Sequence, residues 1–324
     1  MTKPLLSAVI CALLLNPFLA KGQKVIELWP EGVPNIKADT SDESERGGIY
    51  THTHHPKLLY TPPKPGTANG TAVIFAAGGS YIRINVGGGE FTKWLTDNGV
   101  AVFTLIYRNV DYGQPAPLQD AIRAVRTVRS QAADYGIITN RIGVLGNSAG
   151  SHVVASAGTL FDAPEGRTGA PLDNVSGRPD FMILTFPVIT MEAPYAHTTS
   201  KRSLLGTNSS PELIEHLSLE KQVTKDTPPT FLVHTMADRT VSVQNTLLFY
   251  QALEGRCAGR DAPLRKGHAR VGARSEVRPD RRLAEARRRV DAFARLAARR
   301  DADKCSSRNF EVVGRHRVIM WPRL

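Results

Sequence analysis

The chain has 324 residues and a formal net charge of +11 at pH 7. This length is sufficient for one large domain with a well-buried core. The positive charge is concentrated at one end, because residues 254–324 hold 20 of the 41 Lys and Arg residues but only 9 of the 30 Asp and Glu residues. Residues 1–253 therefore carry 21 of each sign, which excludes a broadly basic surface for nucleic acid on that part of the chain.

Three cysteines, Cys11, Cys257 and Cys305, lie far apart in the sequence. Their spacing offers neither a disulfide framework nor a CxxC metal site. The sequence implies no metal and no organic cofactor, and it makes no prediction about the oligomeric state.

The N-terminus has the features of a secretory signal. Lys3 precedes an apolar run over residues 5–15, and the small residues Ala20 and Gly22 stand just before Gln23. This run is too short to remain in a bilayer as a spanning helix. Residues 1–22 are therefore predicted to be a signal peptide, and the mature protein to be secreted or periplasmic and free of the membrane. A buried N-terminal helix is the alternative.

Residues 24–70 are rich in Pro, Gly, Asp and His and are predicted to form an N-terminal extension with a single short hairpin. His52, His54 and His55 cluster there. The cluster has no distant carboxylate or cysteine at a spacing typical of a metal site. We interpret these residues as solvated loop histidines.

From residue 71 to residue 253, apolar strands alternate with amphipathic helices. This pattern is typical of a mostly parallel sheet covered by helices on both faces. The predicted strands cover residues 71–77, 100–107, 141–145, 181–189 and 231–235. A surface helix is expected over residues 118–135, where Arg residues separate apolar positions at helical spacing, and another helix over residues 243–253.

Residues 146–150, which we call the elbow, read Gly-Asn-Ser-Ala-Gly and stand between a predicted strand and a helical stretch. This is the G-x-S-x-G pattern in its strand–turn–helix setting. Glycines are needed because the turn brings its flanking positions against neighbouring backbone, and the turn exposes the hydroxyl of Ser148. The start of the following helix directs the Ala149 N–H toward developing negative charge. A glycine-rich turn with an incidental serine is the alternative interpretation.

Residues 77–81, which we call the oxyanion loop, read Ala-Gly-Gly-Ser-Tyr and directly follow the first predicted strand of the sheet. In the fold to which the elbow belongs, this is where the second oxyanion donor arises. Gly78 and Gly79 allow backbone N–H groups to approach a tetrahedral oxygen closely. One such donor contributes about 3 kcal/mol to transition-state stabilisation.

An acid is expected after the serine in the chain, followed by a histidine. Asp238 lies just beyond a strand end, where its carboxylate could orient an imidazole. An Asx-turn at the start of the next helix is the alternative. His234 lies inside the strand and His152 in the helix after the elbow, so both are interpreted as structural residues.

From about residue 25 to residue 253, the chain resembles bacterial secreted α/β-hydrolases of the acetyl esterase and acetylxylan-esterase-like group. The segments that carry the resemblance are residues 28–34, 78–81, 115–121, 141–150 and 238–241. The resemblance implies an α/β-hydrolase fold over residues 23–253. It also implies that Ser148 is the nucleophile, Asp238 the triad acid, and Gly79, Ser80 and Ala149 the oxyanion donors. The implied substrates are acetyl groups on carbohydrate such as xylan.

Two segments depart from the pattern of this group. Its oxyanion loop usually reads Pro-Gly-Gly-Gly-Tyr, whereas this chain has Ala77 and Ser80. Its elbow more often carries Phe at the position of Asn147. Both departures affect the geometry of the donors or the polarity of the pocket rather than the mechanism itself.

The resemblance stops at residue 253, where an Arg-rich segment begins. We expect the last strand of the sheet and its histidine loop to be disrupted and residues 254–324 to be poorly ordered. A frameshift near Glu254 is our hypothesis, because permitted codons for residues 254–270, read one nucleotide later, encode KAGVPAEMHLYEKGTHG. The alternative is a genuine basic C-terminal helix that binds nucleic acid or an anionic surface.

Only His268 and His316 follow Asp238, and His268 is the candidate for the general base. The sequence thus favours a serine esterase acting on a small ester or an acetylated carbohydrate. A peptidase or lipase of the same fold remains open, because the fold does not determine the acyl group. A hydrolase-like protein impaired by its altered tail is the third possibility.

Overall fold

The computed structural model describes residues 24–37, 41–87, 89–257 and 317–321. The predicted signal peptide, residues 1–22, lies outside the described residues, as does most of the Arg-rich segment.

Strands and helices alternate through the described residues, as the hydrophobic pattern predicts. The strands are β1 Lys24–Glu27, β2 Ser44–Arg46, β3 Ile49–Thr51, β4 Lys57–Thr61, β5 Ala72–Ala76, β6 Ile84–Asn85, β7 Ala101–Ile106, β8 Ile142–Asn147, β9 Met182–Thr185, β10 Thr230–Thr235 and β11 Arg317–Trp321. The α-helices are α1 Glu90–Asp97, α2 Ala116–Ser130, α3 Ala149–Thr159, α4 Thr198–Leu205, α5 Pro211–His216 and α6 Gln244–Cys257. Short 3-10 helices cover Ala132–Tyr135, Pro164–Gly166, Pro171–Asn174 and Leu219–Gln222.

The central sheet has the strand order β1-β4-β7-β5-β8-β9-β10-β11. β4 pairs antiparallel with both β1 and β7, and all the pairs from β7 to β11 are parallel. The inner strands β5 and β7 are buried along their whole length, as continuous apolar runs in a covered parallel sheet require. Helices lie on both sides of the sheet. This confirms the predicted fold class.

Helix α2 differs from its prediction as a surface helix, because every residue from Ala116 to Val128 is buried. Its arginines are covered and paired: Arg123 reaches Glu31 at 2.7 Å, and Arg126 pairs with Asp173. Residues from the N-terminal extension and from the segment after α3 supply these carboxylates. Such long-range partners let charged residues occupy a buried face, and a helical pattern alone does not reveal them.

A further ion pair, fully buried, joins α2 to the segment that follows β7. The Arg108 guanidinium contacts the Asp120 carboxylate at 2.9 Å, and both side chains are fully buried. Asp120 also accepts hydrogen bonds from the indole of Trp29 and from the Arg108 backbone N–H, each at 2.9 Å. Because these contacts satisfy the buried carboxylate, they fasten the N-terminal extension to the sheet.

The expectation of a disrupted last strand is wrong for residues 317–321. Arg317–Trp321 forms β11, which pairs in parallel with β10. The segment reads Arg-Val-Ile-Met-Trp, a short apolar run with β-branched residues that suits a parallel strand. Its position within an Arg-rich stretch hid it from the sequence analysis.

The N-terminal extension also holds more structure than one hairpin. β1 joins the central sheet, and β2 and β3 form a second sheet with β6. The interpretation of the histidine cluster as solvated is wrong for His54, whereas His52 is half-buried. His54 is buried and contacts the Tyr112 hydroxyl at 3.1 Å, and His52 contacts Asp111 at 2.7 Å.

None of the helices in the described residues is both long enough and apolar enough to cross a membrane.

Candidate active site

Three predicted site segments lie at the same edge of the sheet. The oxyanion loop follows β5, Ser148 follows β8 and Asp238 follows β10. Because β5, β8, β9 and β10 are parallel neighbours, their carboxyl ends meet at one edge, which is where open α/β sheets bind ligands. Two strand spacings separate β8 from β10, a span of about 10 Å.

The elbow has the strained backbone that its sequence predicts. Ser148 adopts φ 51° and ψ −126° between β8 and α3, a region that non-glycine residues rarely occupy. A Cβ on Gly146 would lie 2.5 Å from the Ser151 Cα, and a Cβ on Gly150 would lie 2.2 Å from the Ala76 carbonyl oxygen. The turn therefore requires glycine at both positions.

The backbone of Ser148 is held on both sides while its side chain is left available. Its N–H donates to the Thr185 carbonyl at 3.1 Å, and its carbonyl accepts from the Val188 N–H at 3.1 Å. Ser148 is half-buried, and its hydroxyl has no hydrogen-bond partner among the described residues. A fixed backbone with an unengaged hydroxyl is what a nucleophile at this edge requires.

The oxyanion loop has a left-handed path through three successive residues. Gly79, Ser80 and Tyr81 have φ values of 147°, 59° and 62°. A Cβ on Gly79 would lie 2.1 Å from the Arg83 carbonyl oxygen, so only glycine fits there. Within the described part of the chain, the N–H groups of Gly79, Ser80 and Ala149 have no acceptor, which leaves them available for an oxyanion.

Gly78 has a different place from the other candidate donors. Its N–H donates to Asn147 Oδ1 at 2.6 Å and is therefore engaged within the protein. A Cβ on Gly78 would lie 2.8 Å from the Asn147 carbonyl oxygen and 2.9 Å from the Ser148 Cβ. Gly78 thus lets the oxyanion loop approach the elbow closely, and the available donors are those of Gly79, Ser80 and Ala149.

The two carboxylate oxygens of Asp238 have different surroundings. Its Oδ1 accepts from the N–H groups of Thr240 and Val241 at 2.8 and 2.9 Å, which is an Asx-turn. Its Oδ2 lies 3.5 Å from His234 Nε2. The turn fixes the carboxylate while Oδ2 still has capacity to accept from a second imidazole.

His234 is a structural residue in this site. Its Nε2 contacts the Val241 carbonyl at 3.1 Å, and its Nδ1 contacts the Thr246 hydroxyl at 2.7 Å. Since a carbonyl can only accept, Nε2 carries the proton and Nδ1 accepts from the hydroxyl. Burial lowers the pKa of His234, and Asp238 acts against this effect. His234 therefore ties β10 to α6.

His152 is buried in α3, one turn beyond Ser148. Its Nδ1 contacts the Tyr81 hydroxyl at 2.8 Å, and its Nε2 contacts the Leu217 carbonyl at 2.9 Å. Burial lowers its pKa to about 4. Both ring nitrogens are occupied, so His152 holds the oxyanion loop and is not placed to act as the general base.

His197 lies near Asp238 and was not considered in the sequence analysis. It caps α4, where its Nδ1 contacts the Ser200 hydroxyl at 2.8 Å. Burial lowers its pKa, while the charge of Asp238 acts to raise it. The signal that could have found it is its position in the loop that follows β9 at the catalytic edge. His268, the candidate general base, lies outside the described residues.

A parallel sheet that presents a strained serine between strand and helix, beside a glycine loop from an inner strand, is the α/β-hydrolase fold. Within this fold, the chain belongs to the BD-FAE family, which matches residues 59–253.

The proteins that resemble the chain include two curated relatives and one solved structure. Endo-1,4-beta-xylanase B of Butyrivibrio fibrisolvens is 39% identical over 56% of this chain and 29% of its own length. An acetylxylan esterase of Xylanibacter ruminicola is 30% identical over 62% of this chain and 40% of its own length. This chain therefore spans less than half of either relative.

The solved structure is an acetyl ester-xyloside bifunctional hydrolase from Caldicellulosiruptor lactoaceticus. It is 37% identical, with a TM-score of 0.63 over 72% of this chain and 81% of that chain.

Proposed function

We propose that this chain is a serine carboxylic ester hydrolase that removes acetyl groups from carbohydrate. The observation that carries the proposal is the strained Ser148, with an unengaged hydroxyl among the described residues and free amides of the oxyanion loop beside it. The names of the relatives, an acetylxylan esterase and an acetyl ester-xyloside hydrolase, support acetyl esters of xylan-like carbohydrate as the substrate.

In the proposed reaction, Ser148 Oγ attacks the acyl carbonyl carbon, and a histidine accepts the hydroxyl proton. In this sequence the candidate for that histidine is His268. The carbonyl electron pair moves to oxygen, and the amides of Gly79, Ser80 and Ala149 stabilise that oxyanion. When this electron pair re-forms the carbonyl double bond, the bond between the acyl carbon and the sugar oxygen breaks. The histidine gives its proton to the leaving alcohol.

Water then repeats the cycle on the acyl-enzyme. It gives a proton to the histidine as it attacks, and collapse of the second tetrahedral intermediate releases acetate and restores the Ser148 hydroxyl. The Asp238 carboxylate accepts a hydrogen bond from the Nδ1–H of the histidine, which orients the imidazole and stabilises the imidazolium. A peptidase or lipase would use the same groups on another acyl bond, and a chain without a positioned histidine would be a hydrolase-like protein without turnover.

We also propose that the protein is exported and that residues 1–22 are its signal peptide. The support is the charged, apolar and small-residue pattern of that segment.

Turnover of p-nitrophenyl acetate by the parent chain and by Ser148→Ala tests the enzymatic proposal. We expect Ser148→Ala to lose at least about a thousandfold in kcat. Equal background rates in the parent and the variant would refute the enzymatic proposal. Acetate release from acetylated xylan, compared with cleavage of long-chain esters and peptides, then tests the substrate class. Preference for a long-chain ester or a peptide would refute the carbohydrate ester proposal.

A further inference from the structure

The oxyanion loop and the elbow are connected by a side-chain hydrogen bond. Asn147 Oδ1 accepts the Gly78 N–H at 2.6 Å, although the two residues are 69 positions apart. Asn147 immediately precedes Ser148, and Gly78 immediately precedes Gly79. The bond therefore joins the residue before the nucleophile to the residue before the first free oxyanion donor.

The other end of the oxyanion loop is held independently. Tyr81 is fully buried, and its hydroxyl contacts His152 Nδ1 at 2.8 Å. Gly79 and Ser80 lie between these two attachments, with φ values in the left-handed region. Such a backbone persists only when its surroundings hold it, and the Asn147 bond attaches the loop directly to the elbow on the side nearest Ser148.

We infer that Asn147 is a positioning residue, whose side-chain oxygen sets the distance between the oxyanion donors and Ser148. This inference rests on the proposed function, because it assigns the amides of Gly79 and Ser80 to the oxyanion. Gly78 also packs closely against Ser148 itself, since a Cβ on Gly78 would lie 2.9 Å from the Ser148 Cβ. Without the Asn147 oxygen, the carbonyls of Ala77 and Gly78 keep their bonds to the Tyr107 hydroxyl and the Asn85 N–H, each at 2.9 Å. The Gly78 N–H, however, loses the acceptor that ties it to the elbow.

Displacement of a donor matters more in the transition state than in substrate binding, because the charge develops only there. An error of about 1 Å in such a group can cost about a hundredfold in rate. The loss of the Asn147 oxygen is therefore expected to lower kcat and to leave KM nearly unchanged.

The test compares the parent with Asn147→Leu, which has a similar shape but no acceptor, and with Asn147→Ala. Asn69→Leu is the matched control, because Asn69 Oδ1 also accepts a backbone N–H, from Thr71 at 2.9 Å, at the opposite edge of the sheet. We expect both Asn147 variants to lose about ten- to a hundredfold in kcat on p-nitrophenyl acetate at constant KM. Asn69→Leu is expected to keep the parent kcat.

Exchange of the Gly78 amide hydrogen, followed by NMR in the same folded proteins, gives a second readout that needs no activity. We expect exchange to accelerate about tenfold in the Asn147 variants. Unchanged Gly78 exchange would overturn the inference whatever the activity. Accelerated exchange with parental kcat would overturn the positioning role while leaving the proposed function intact. A parent without Ser148-dependent turnover would refute the proposed function, and the positioning role with it.

Discussion

Tyr81 and His152 are joined in the buried space between the oxyanion loop and α3, where the phenol contacts the imidazole Nδ1 at 2.8 Å. The Leu217 carbonyl contacts Nε2 of the same ring at 2.9 Å. A carbonyl requires a donor at Nε2, so the neutral ring accepts from Tyr81 and donates to Leu217. Protonation of Nδ1 would remove that acceptor.

This arrangement makes the stability of the protein depend on pH. Burial lowers the pKa of His152 from 6.5 to about 4, so between these values the unfolded chain binds a proton that the folded chain does not. The free energy of unfolding is therefore expected to fall as the pH decreases from about 6.5 to about 4. A shift of this size corresponds to about 3 kcal/mol.

Urea unfolding at a series of pH values measures this effect. In His152→Gln the decrease over the same range is expected to be smaller by about that amount, because other groups titrate equally in both proteins. Identical pH profiles in the variant and the parent would show that His152 is not held neutral.

Asp238→Asn tests the orienting carboxylate. Asparagine keeps an Oδ1 acceptor for the N–H groups of Thr240 and Val241, so the turn and the melting temperature are expected to persist. The variant lacks the charge that stabilises an imidazolium, and a loss in kcat of up to about ten-thousandfold is expected. The exposed Asp134→Asn serves as control. Parental turnover in Asp238→Asn would remove Asp238 from the mechanism.

The buried Arg108–Asp120 pair is expected to be critical for stability. Asp120→Asn leaves the fully buried Arg108 charge without its counterion, which typically costs about 3–5 kcal/mol of unfolding free energy. The exposed Lys93–Asp97 pair provides a matched control, and Asp97→Asn is expected to cost less than about 1 kcal/mol. Equal effects of the two variants in chemical denaturation would contradict this account of the fold.

Replacing residues 254–270 with the shifted reading KAGVPAEMHLYEKGTHG tests the frameshift hypothesis. That reading supplies a strand and a histidine–glycine loop after α6, and a positioned general base contributes about a hundredfold or more to the rate. We expect Ser148-dependent kcat to rise by at least that factor.

His268→Gln in the written chain is the companion variant, because it removes the only histidine we proposed there as base. Turnover that is unchanged or lower in the replaced chain would contradict the hypothesis. An intact reading frame through this region, found on sequencing the gene, would do so as well.

Local patterns were sufficient to predict the elbow and the parallel sheet. The strain at Ser148 and the glycines at positions 146 and 150 follow from five consecutive residues in one strand–turn–helix unit. The order of strands and helices followed equally from hydrophobic periodicity.

Features that depend on distant partners could not be predicted in this way. The burial of α2 requires carboxylates from residues 31 and 173, and the contact of Asn147 with Gly78 spans 69 positions. His54 is buried because a tyrosine from the loop after β7 reaches it. No sequence spacing encodes these contacts, since they form only when the chain is folded.

The most direct test of the central claim is covalent labelling with a fluorophosphonate, followed by mass spectrometry of peptides. We predict a single phosphonylated site at Ser148, whose unengaged hydroxyl lies beside the free amides of the oxyanion loop, and no adduct in Ser148→Ala. Absence of an adduct on the parent, or labelling that persists in Ser148→Ala, would contradict it.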